Sequence, residues 1–162
     1  PVKALHFENS ISLVYGENKG SQPKSIGDSA RYLPFIPPAH GISELRYEFN
    51  DRKAHITHAF VKVQLEYSAA QNRAFIAYNT ETPTAGYTLF NAGVGAGFTN
   101  KKGKTIVNAY LMGNNLFDVA YYDHLSRLKY TDVNPATGRQ GVFNMGRNFS
   151  IKLNVPLSFK TK

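Results

Sequence analysis

The chain has 162 residues, a net charge of +8 and a pI near 9.7, with 13% aromatic and 19% charged residues. The absence of cysteine excludes disulfides, thiolate metal sites and cysteine nucleophiles. Basic residues form no dense patch beyond the run 101–104, so we expect no nucleic-acid binding. A globular protein has about 25% charged residues. Many aromatic rings with few charges therefore indicate a surface that faces something other than water.

No segment reaches the ~18 to 20 continuous apolar residues of a membrane-spanning helix. The sequence starts at Pro1, without Met and without the basic and apolar regions of a signal peptide. We interpret it as a piece of a longer precursor. A membrane-spanning strand would leave no helix signal, because its signature is ~10 residues of alternating polarity.

Six segments alternate apolar and polar residues with the period of two that is typical of strands. Several exceed the ~5 to 6 residues of an average strand and reach the ~9 to 11 that cross a bilayer. We predict an all-β fold, an antiparallel up-and-down meander of six long strands that forms part of a transmembrane β-barrel. In chain order the segments are Leu5 to Tyr15, Glu44 to Phe49, Ala59 to Ala69, Phe90 to Phe98, Thr105 to Leu116 and Asn148 to Phe159.

The connections between these segments alternate in length. Two are short turns, at 50–53 and 100–103, and three are long loops, at 16–31, 71–86 and 117–146. Short turns at one end and long loops at the other are typical of outer-membrane barrels. Unstructured loops of this length are rare in compact soluble domains.

The second and third segments both place even-numbered residues on the polar face, which predicts a register between them. Opposite charges across a strand pair stabilise it by ~0.2 to 1 kcal/mol. We therefore expect Asn50 opposite Ile56, which gives two favourable pairs, Glu44 with Lys62 and Glu48 with His58.

Five short motifs, in order along nearly the whole chain, resemble the C-terminal barrel strands of TonB-dependent outer-membrane receptors. The strongest, Asn114-Asn115-Leu116-Phe117-Asp118, resembles the end of the penultimate strand in that family. Two departures are Pro156 inside the last segment and Lys160-Thr161-Lys162 after the terminal Phe159. The other motifs are Leu33-Pro34-Phe35-Ile36-Pro37-Pro38, Glu81-Thr82-Pro83-Thr84-Ala85-Gly86-Tyr87-Thr88-Leu89, Tyr122-Asp123-His124-Leu125-Ser126 and Gly146-Arg147-Asn148-Phe149, which leads to Phe159.

The resemblance implies that residues 1–162 form the C-terminal barrel segment of a bacterial outer-membrane receptor for energised uptake of a scarce ligand, such as an iron chelate, a vitamin or a glycan. The plug, the earlier strands and the segment that contacts TonB are absent from the sequence. The expected partners are outer-membrane lipid, the rest of the barrel with its plug, and the TonB complex. We expect no enzymatic activity and no cofactor or metal site.

Two groups of side chains are candidates for function. The first would line the lumen, because charges there avoid the ~2 to 4 kcal/mol that Lys or Arg costs on the lipid face; it comprises Glu44, Arg46, Glu48, Lys62, Glu66 and Lys152. The second puts rings and cations on an exposed loop, which suits an anionic or ring-bearing ligand; it comprises Tyr121, Tyr122, His124, Arg127, Lys129 and Tyr130.

Two other interpretations stay open at this level. One is a soluble antiparallel β-sandwich that binds a small ligand, and the other is an outer-membrane barrel hydrolase. Six strands cannot close a barrel of the family's size, so the isolated piece would have two unpaired edges and an exposed apolar face. We expect such a piece to self-associate in water.

Overall fold

The computed structural model describes residues 4–20, 27–51 and 55–157. Its six strands form one antiparallel sheet in chain order, as the predicted meander requires. Within the described ranges there is no helix of the length and hydrophobicity that a membrane span requires. The strands are β1 (Leu5–Ser12), β2 (His40–Asp51), β3 (Ile56–Ser68), β4 (Tyr87–Thr99), β5 (Thr105–Asn114) and β6 (Asn148–Asn154).

Three strands end earlier than their alternation predicts, and the backbone explains each. β1 stops at Ser12 because its partner β2 starts only at His40, and the prolines at 37 and 38 shortly before it have no N–H to donate. β5 stops at Asn114 because the next residue has a φ of 49°, outside the extended region. β6 stops at Asn154, two residues before Pro156. Phe159 lies outside the described residues.

The two faces of the sheet have opposite character, as predicted. Strand pairing brings Glu8, Glu44, Gln64 and Asn91 into one row on the polar face. The opposite face carries apolar residues from all six strands, and many stay open to solvent; Ile151 on β6, for example, is 75% exposed. The even-numbered residues of β2 share the polar face with those of β3 from Phe60 to Ser68, and an irregularity between Thr57 and Phe60 places Ile56 on the apolar side.

The predicted register between β2 and β3 is wrong by two residues. Glu44 pairs with Gln64 and Glu48 with Phe60, because an irregularity between Phe49 and Asp51 changes the pairing beside the turn. The expected attraction between Glu44 and Lys62 still forms, since long side chains reach a diagonal neighbour. Lys62 Nζ lies 2.8 Å from Glu44 Oε2.

The described part of the chain contains no conventional hydrophobic core. None of its large side chains is fully buried, and its buried apolar residues are mostly alanines. A sandwich would bury one face of each sheet against a second sheet. Here the described strands form one layer, so the apolar face has no partner within it. The buried apolar residues are Ala30, Ala59, Phe60, Ala74, Ala77 and Leu89.

Candidate functional site in the long loops

The three long connections, 13–39, 69–86 and 115–147, all leave the same end of the sheet, while 52–55 and 100–104 turn at the other. The predicted difference between the two ends is confirmed. Four side chains, Glu81, Thr84, His124 and Lys129, join the described parts of these loops, and we call them the loop latch. All four belong to loops rather than strands, and the three charged or titratable members are buried.

Glu81 connects two of the loops through its carboxylate. Its Oε1 accepts a hydrogen bond from the backbone N–H of Phe35 at 2.9 Å, and its Oε2 accepts one from Phe75 at 2.9 Å. Only 4% of Glu81 is exposed. A buried carboxylate is stable only when its oxygens are hydrogen-bonded or paired with a cation. Here two backbone amides satisfy them, so the charge fixes the relative position of the loops 13–39 and 69–86.

His124 and Lys129 attach the third loop to the same point. The Lys129 ammonium donates to the carbonyl of Thr82 and to Oγ1 of Thr84, and it lies 3.4 Å from Nδ1 of His124. Because an ammonium can only donate, Nδ1 is an acceptor and the imidazole proton sits on Nε2. That nitrogen faces Oε1 of Glu81 at 3.6 Å. This separation is too long for a hydrogen bond, so His124 approaches Glu81 without bonding to it, while Lys129 and Thr84 contact Nδ1 on the other side of the ring.

Two of the six residues predicted on an exposed loop are in fact buried. His124 is 4% exposed and Lys129 is 8% exposed, because the loop 115–147 folds back onto the loop 69–86. Arg127 and Tyr130 are exposed, and Tyr121 and Tyr122 are half-buried. Each of these four has a partner within the chain. The Arg127 guanidinium lies over the ring of Phe35, and the Tyr130 hydroxyl accepts from the N–H of Thr82. The ring of Tyr121 contacts that of Tyr87, while Tyr122 stacks on Phe143 and donates its hydroxyl to the carbonyl of Gln140. Contact of this loop with a ligand stays a prediction.

Sequence reasoning did not identify Glu81 and Thr84 as functional positions, although both lie in a family motif. A usable signal was present. Glu81 is the only charged residue between Arg73 and Lys101. A single acid in a long uncharged loop indicates a carboxylate held by backbone amides rather than a solvated one.

Burial and the nearby Lys129 charge lower the pKa of His124, and the Glu81 carboxylate opposes that shift. The folded loops thus favour the neutral imidazole, whereas the unfolded state takes up a proton near pH 6.5. The contribution of His124 to stability is complete above that pH and is lost as pH falls toward the lower folded pKa. We expect amide hydrogen exchange in the latch to accelerate, beyond the intrinsic pH effect, as the pH falls below about 6.5. A His124→Gln variant should lack this additional acceleration.

The motif Asn114 to Asp118 shapes the chain where β5 ends. Asn115 is 2% exposed, and its side chain bonds the N–H and C=O of Val119 at 2.9 Å each and the carbonyl of Met145 at 3.3 Å. Asp118 accepts from the backbone N–H of Arg147 at 2.8 Å. Both Asn115 and Asp118 have positive φ, which Asn and Asp tolerate best among residues with a side chain. The motif thus closes the loop 115–147 at its base.

The other motif residues support the same turn and its neighbours. Leu116 donates its N–H to the carbonyl of Phe90, and the ring of Phe117 stacks on that of Phe90 at 5.4 Å. Asn114 bonds Asn148 across the strand pair at 3.1 Å. Gly86 has no room for a side chain, since a Cβ there would lie 2.7 Å from the Ser68 carbonyl oxygen.

A cleft of about 250 Å³ lies between the polar face and the loops. Pro37 and Pro38 form one wall, and His124 contributes to another. Tyr87, at the start of β4, lines this cleft together with Asp123 and Glu66. Pro34 and Pro83 lie in the loops outside it.

Polar side chains on the sheet form a continuous network that ends at the same motif. Lys62 and Gln64 both donate to Oε2 of Glu44, at 2.8 and 3.1 Å. Asn91 then donates to Oε1 of Gln64 at 3.1 Å and accepts from the N–H of Asn115 at 2.8 Å. Glu44 and Lys62, two of the charges predicted to line the lumen, are thus connected through β3 and β4 to the base of the loop 115–147.

The other residues predicted to line the lumen share this face but are not part of the network. Arg46 pairs with Glu48 at 2.8 Å and lies over the ring of Phe60 at 4.0 Å. Glu66 and Lys152 are placed there by pairing, with Leu89 and Tyr110 respectively. Within the described ranges, no group of three His, Asp or Glu side chains could hold a metal ion.

The sequence matches no protein-family model, and a search of curated proteins found no match. Among solved structures, the chain is similar to the copper transporter OprC, with a TM-score of 0.71 and 22% identity over 96% of this chain. The match covers 22% of that chain, so the present sequence spans about a fifth of the length of the protein it matches. At this level of identity the likeness concerns the fold. The chain therefore has the all-β, antiparallel meander fold of the matched part of that transporter.

Proposed function

We propose that this chain is part of the barrel wall of a TonB-dependent receptor in the bacterial outer membrane, where it takes part in energised uptake of a scarce ligand. The cargo class we infer is an iron chelate, a vitamin or a glycan. The copper in the name of the similar structure does not carry over at 22% identity. We propose a role in transport and not in catalysis.

One observation carries the proposal: a single-layer sheet has one polar face, one apolar face, long loops at one end and short turns at the other. A membrane barrel explains all four features. Lipid would cover the apolar face, and the polar network from Glu44 to Asn115 would line the lumen. The loops would lie outside the cell, and further strands of the parent barrel would pair with the free edges of β1 and β6.

The polar face also has the charges that such a lumen needs. Glu44 and Lys62 form a half-buried ion pair, which would be costly against lipid but is tolerated beside water or a plug. The loops would close the mouth of the barrel on this side. Since the latch holds the described parts of all three loops together, they would present one continuous surface to a ligand.

Heat-modifiable gel mobility of the complete protein tests the barrel part of this proposal. A closed barrel should need detergent and should migrate faster before boiling than after it, because its strands stay paired in cold sodium dodecyl sulfate. A protein that is monomeric without detergent and has one mobility would instead support the soluble alternative.

Uptake measurements test the TonB part separately. Cells that depend on the protein for a scarce nutrient should stop growing when TonB is deleted, while the amount of protein in the outer membrane stays constant. Growth that continues without TonB would leave the barrel assignment intact but contradict energised transport.

A further inference from the structure

The net charge of the chain is concentrated in a few segments of the sequence. The sequence segments that adjoin the short-turn end, 1–4, 51–55, 100–104 and 155–162, contain eight Lys or Arg and one acidic residue. All other positions together contain eleven basic and ten acidic residues. Nearly all of the net charge of +8 therefore comes from these four segments of the sequence.

One of these basic segments, 100–104, is fully described and forms a hydrogen-bonded turn between β4 and β5. Oδ1 of Asn100 accepts from the backbone N–H groups of Lys102 and Lys104, at 2.9 and 3.0 Å. Gly103, with a φ of 77°, completes the turn by donating to the Asn100 carbonyl. The turn displays three exposed lysines, Lys101, Lys102 and Lys104, and its sequence contains no acid. Thr99 also donates its N–H to the carbonyl of His55, so the end of β4 is bonded to the residue before β3.

An apolar furrow of about 390 Å³ lies on the apolar face of the sheet, close to this turn. Small side chains form its floor: Ala96 pairs directly with Ala109, and Ala59 lies beside them on β3. Larger residues form its walls, including Phe98 and Leu111, which are 40% and 46% exposed. Such a furrow can take a flexible hydrocarbon chain.

The spacing of the two features fits one lipid molecule. A strand rises about 3.3 Å per residue, or about 2.5 Å along the membrane normal at a tilt of 35 to 45°. The three steps along β4 from Ala96 to Thr99 then span about 7.5 Å, about half of one leaflet of a hydrocarbon core about 30 Å thick. A headgroup at the turn would place its acyl chain in the furrow.

We propose that the turn 100–104 and the furrow formed by Ala59, Ala96 and Ala109 together bind an anionic glycerophospholipid. The lysines recognise the phosphate and the net negative charge of the headgroup, and the furrow holds one acyl chain. This inference rests on the proposed membrane barrel, because only a barrel would place the apolar face in lipid. It adds a specific lipid contact at the short-turn rim, and the charge of the three lysines sets its selectivity.

Native mass spectrometry of the complete, delipidated protein in an uncharged detergent tests the headgroup contact. Dioleoyl phosphatidylglycerol should bind at least about tenfold more tightly than dioleoyl phosphatidylcholine, since each lysine near an anionic surface contributes about fivefold. The preference should weaken with added salt. A variant with Lys101→Gln, Lys102→Gln and Lys104→Gln should lose most of it.

The matched control removes the same charge from the long-loop end, through Lys19→Gln, Arg139→Gln and Arg147→Gln. This variant should keep the preference for phosphatidylglycerol. Equal affinity for the two lipids in the unaltered protein, or an unchanged preference in the turn variant, would overturn the proposal.

The furrow is tested by the length of the acyl chain. The unaltered protein should favour dioleoyl over dioctanoyl phosphatidylglycerol, and Ala109→Leu, which fills the furrow, should reduce that ratio. An unchanged ratio would rule out the furrow as the chain site. A heat-modifiable barrel with no lipid preference contradicts this inference alone, whereas a detergent-independent monomer contradicts the proposed function as well.

Discussion

Replacing Asn115 by Ala should lower the stability of the protein by about 3 to 5 kcal/mol. The change removes three side-chain hydrogen bonds, to Val119 N, Val119 O and Met145 O, at a site that is 2% exposed. Each buried group left without a partner costs about 1 to 3 kcal/mol. A further cost of about 1 kcal/mol arises because Ala tolerates the φ of 49° less well than Asn. Thermal unfolding in detergent, with amide exchange at 115–119, measures both effects.

The neighbouring Asn114 provides the matched control. Its side chain donates one hydrogen bond to Asn148 across the strand pair, on a part of the sheet that is only half-buried. Asn114→Ala should therefore cost no more than about 1 kcal/mol. Asn115→Gly separates the two contributions, since Gly accepts the positive φ but lacks the side chain. Similar losses for Asn114→Ala and Asn115→Ala would show that the motif does not hold the loop.

Glu81→Ala should release the long loops while leaving the sheet intact. The backbone N–H groups of Phe35 and Phe75 lose their acceptors. His124 also loses the carboxylate that lies 3.6 Å from its Nε2. A fully buried amide without a partner costs about 1 to 3 kcal/mol, and the cost is smaller here because both amides are only part-buried. We expect limited proteolysis to cut within 69–86 and 115–147 at least tenfold faster. Heat-modifiable mobility, which reports on the strands, should not change.

Two further variants make this result specific. Glu81→Gln keeps the shape and one acceptor oxygen, but its NH₂ group faces one of the two amides, so about half of the effect should remain. Glu66→Gln removes an acid from the polar face of β3, outside the latch, and should leave the loops protected. Fast cleavage in Glu66→Gln would indicate that general loss of negative charge, not the latch, controls the loops.

Alternation was enough to predict the sheet because one period of two runs through each strand and sets which face each residue occupies. The faces of β2, β3 and β6 follow directly from their sequences. The register between β2 and β3 does not, because a single irregularity beside Asp51 moves every pair, and no residue pattern marks it. Strand ends depend on the partner as well, as β1 shows by stopping where β2 begins.

The site was less predictable than the sheet, because the latch depends on contacts between loops far apart in sequence. Glu81 meets Phe35 across 46 positions, and Lys129 meets Thr84 across 45. Loop residues such as His124 are exposed by default, and only the folded arrangement shows that they are covered. The motifs of the family resemblance include the segments that hold Glu81 and His124. They present Glu81 only as part of the segment that leads into β4, and not as the residue that joins the loops.

The latch has a consequence for the entropy of ligand capture. Three separate loops would each lose conformational freedom when a ligand ordered them, and ordering a side chain alone costs about 0.5 to 1.5 kcal/mol at an interface. Glu81, His124 and Lys129 already hold the described loop segments in one arrangement before any ligand arrives. A receptor that works at very low ligand concentration gains affinity from this, since the ordering cost is met during folding and not at each encounter.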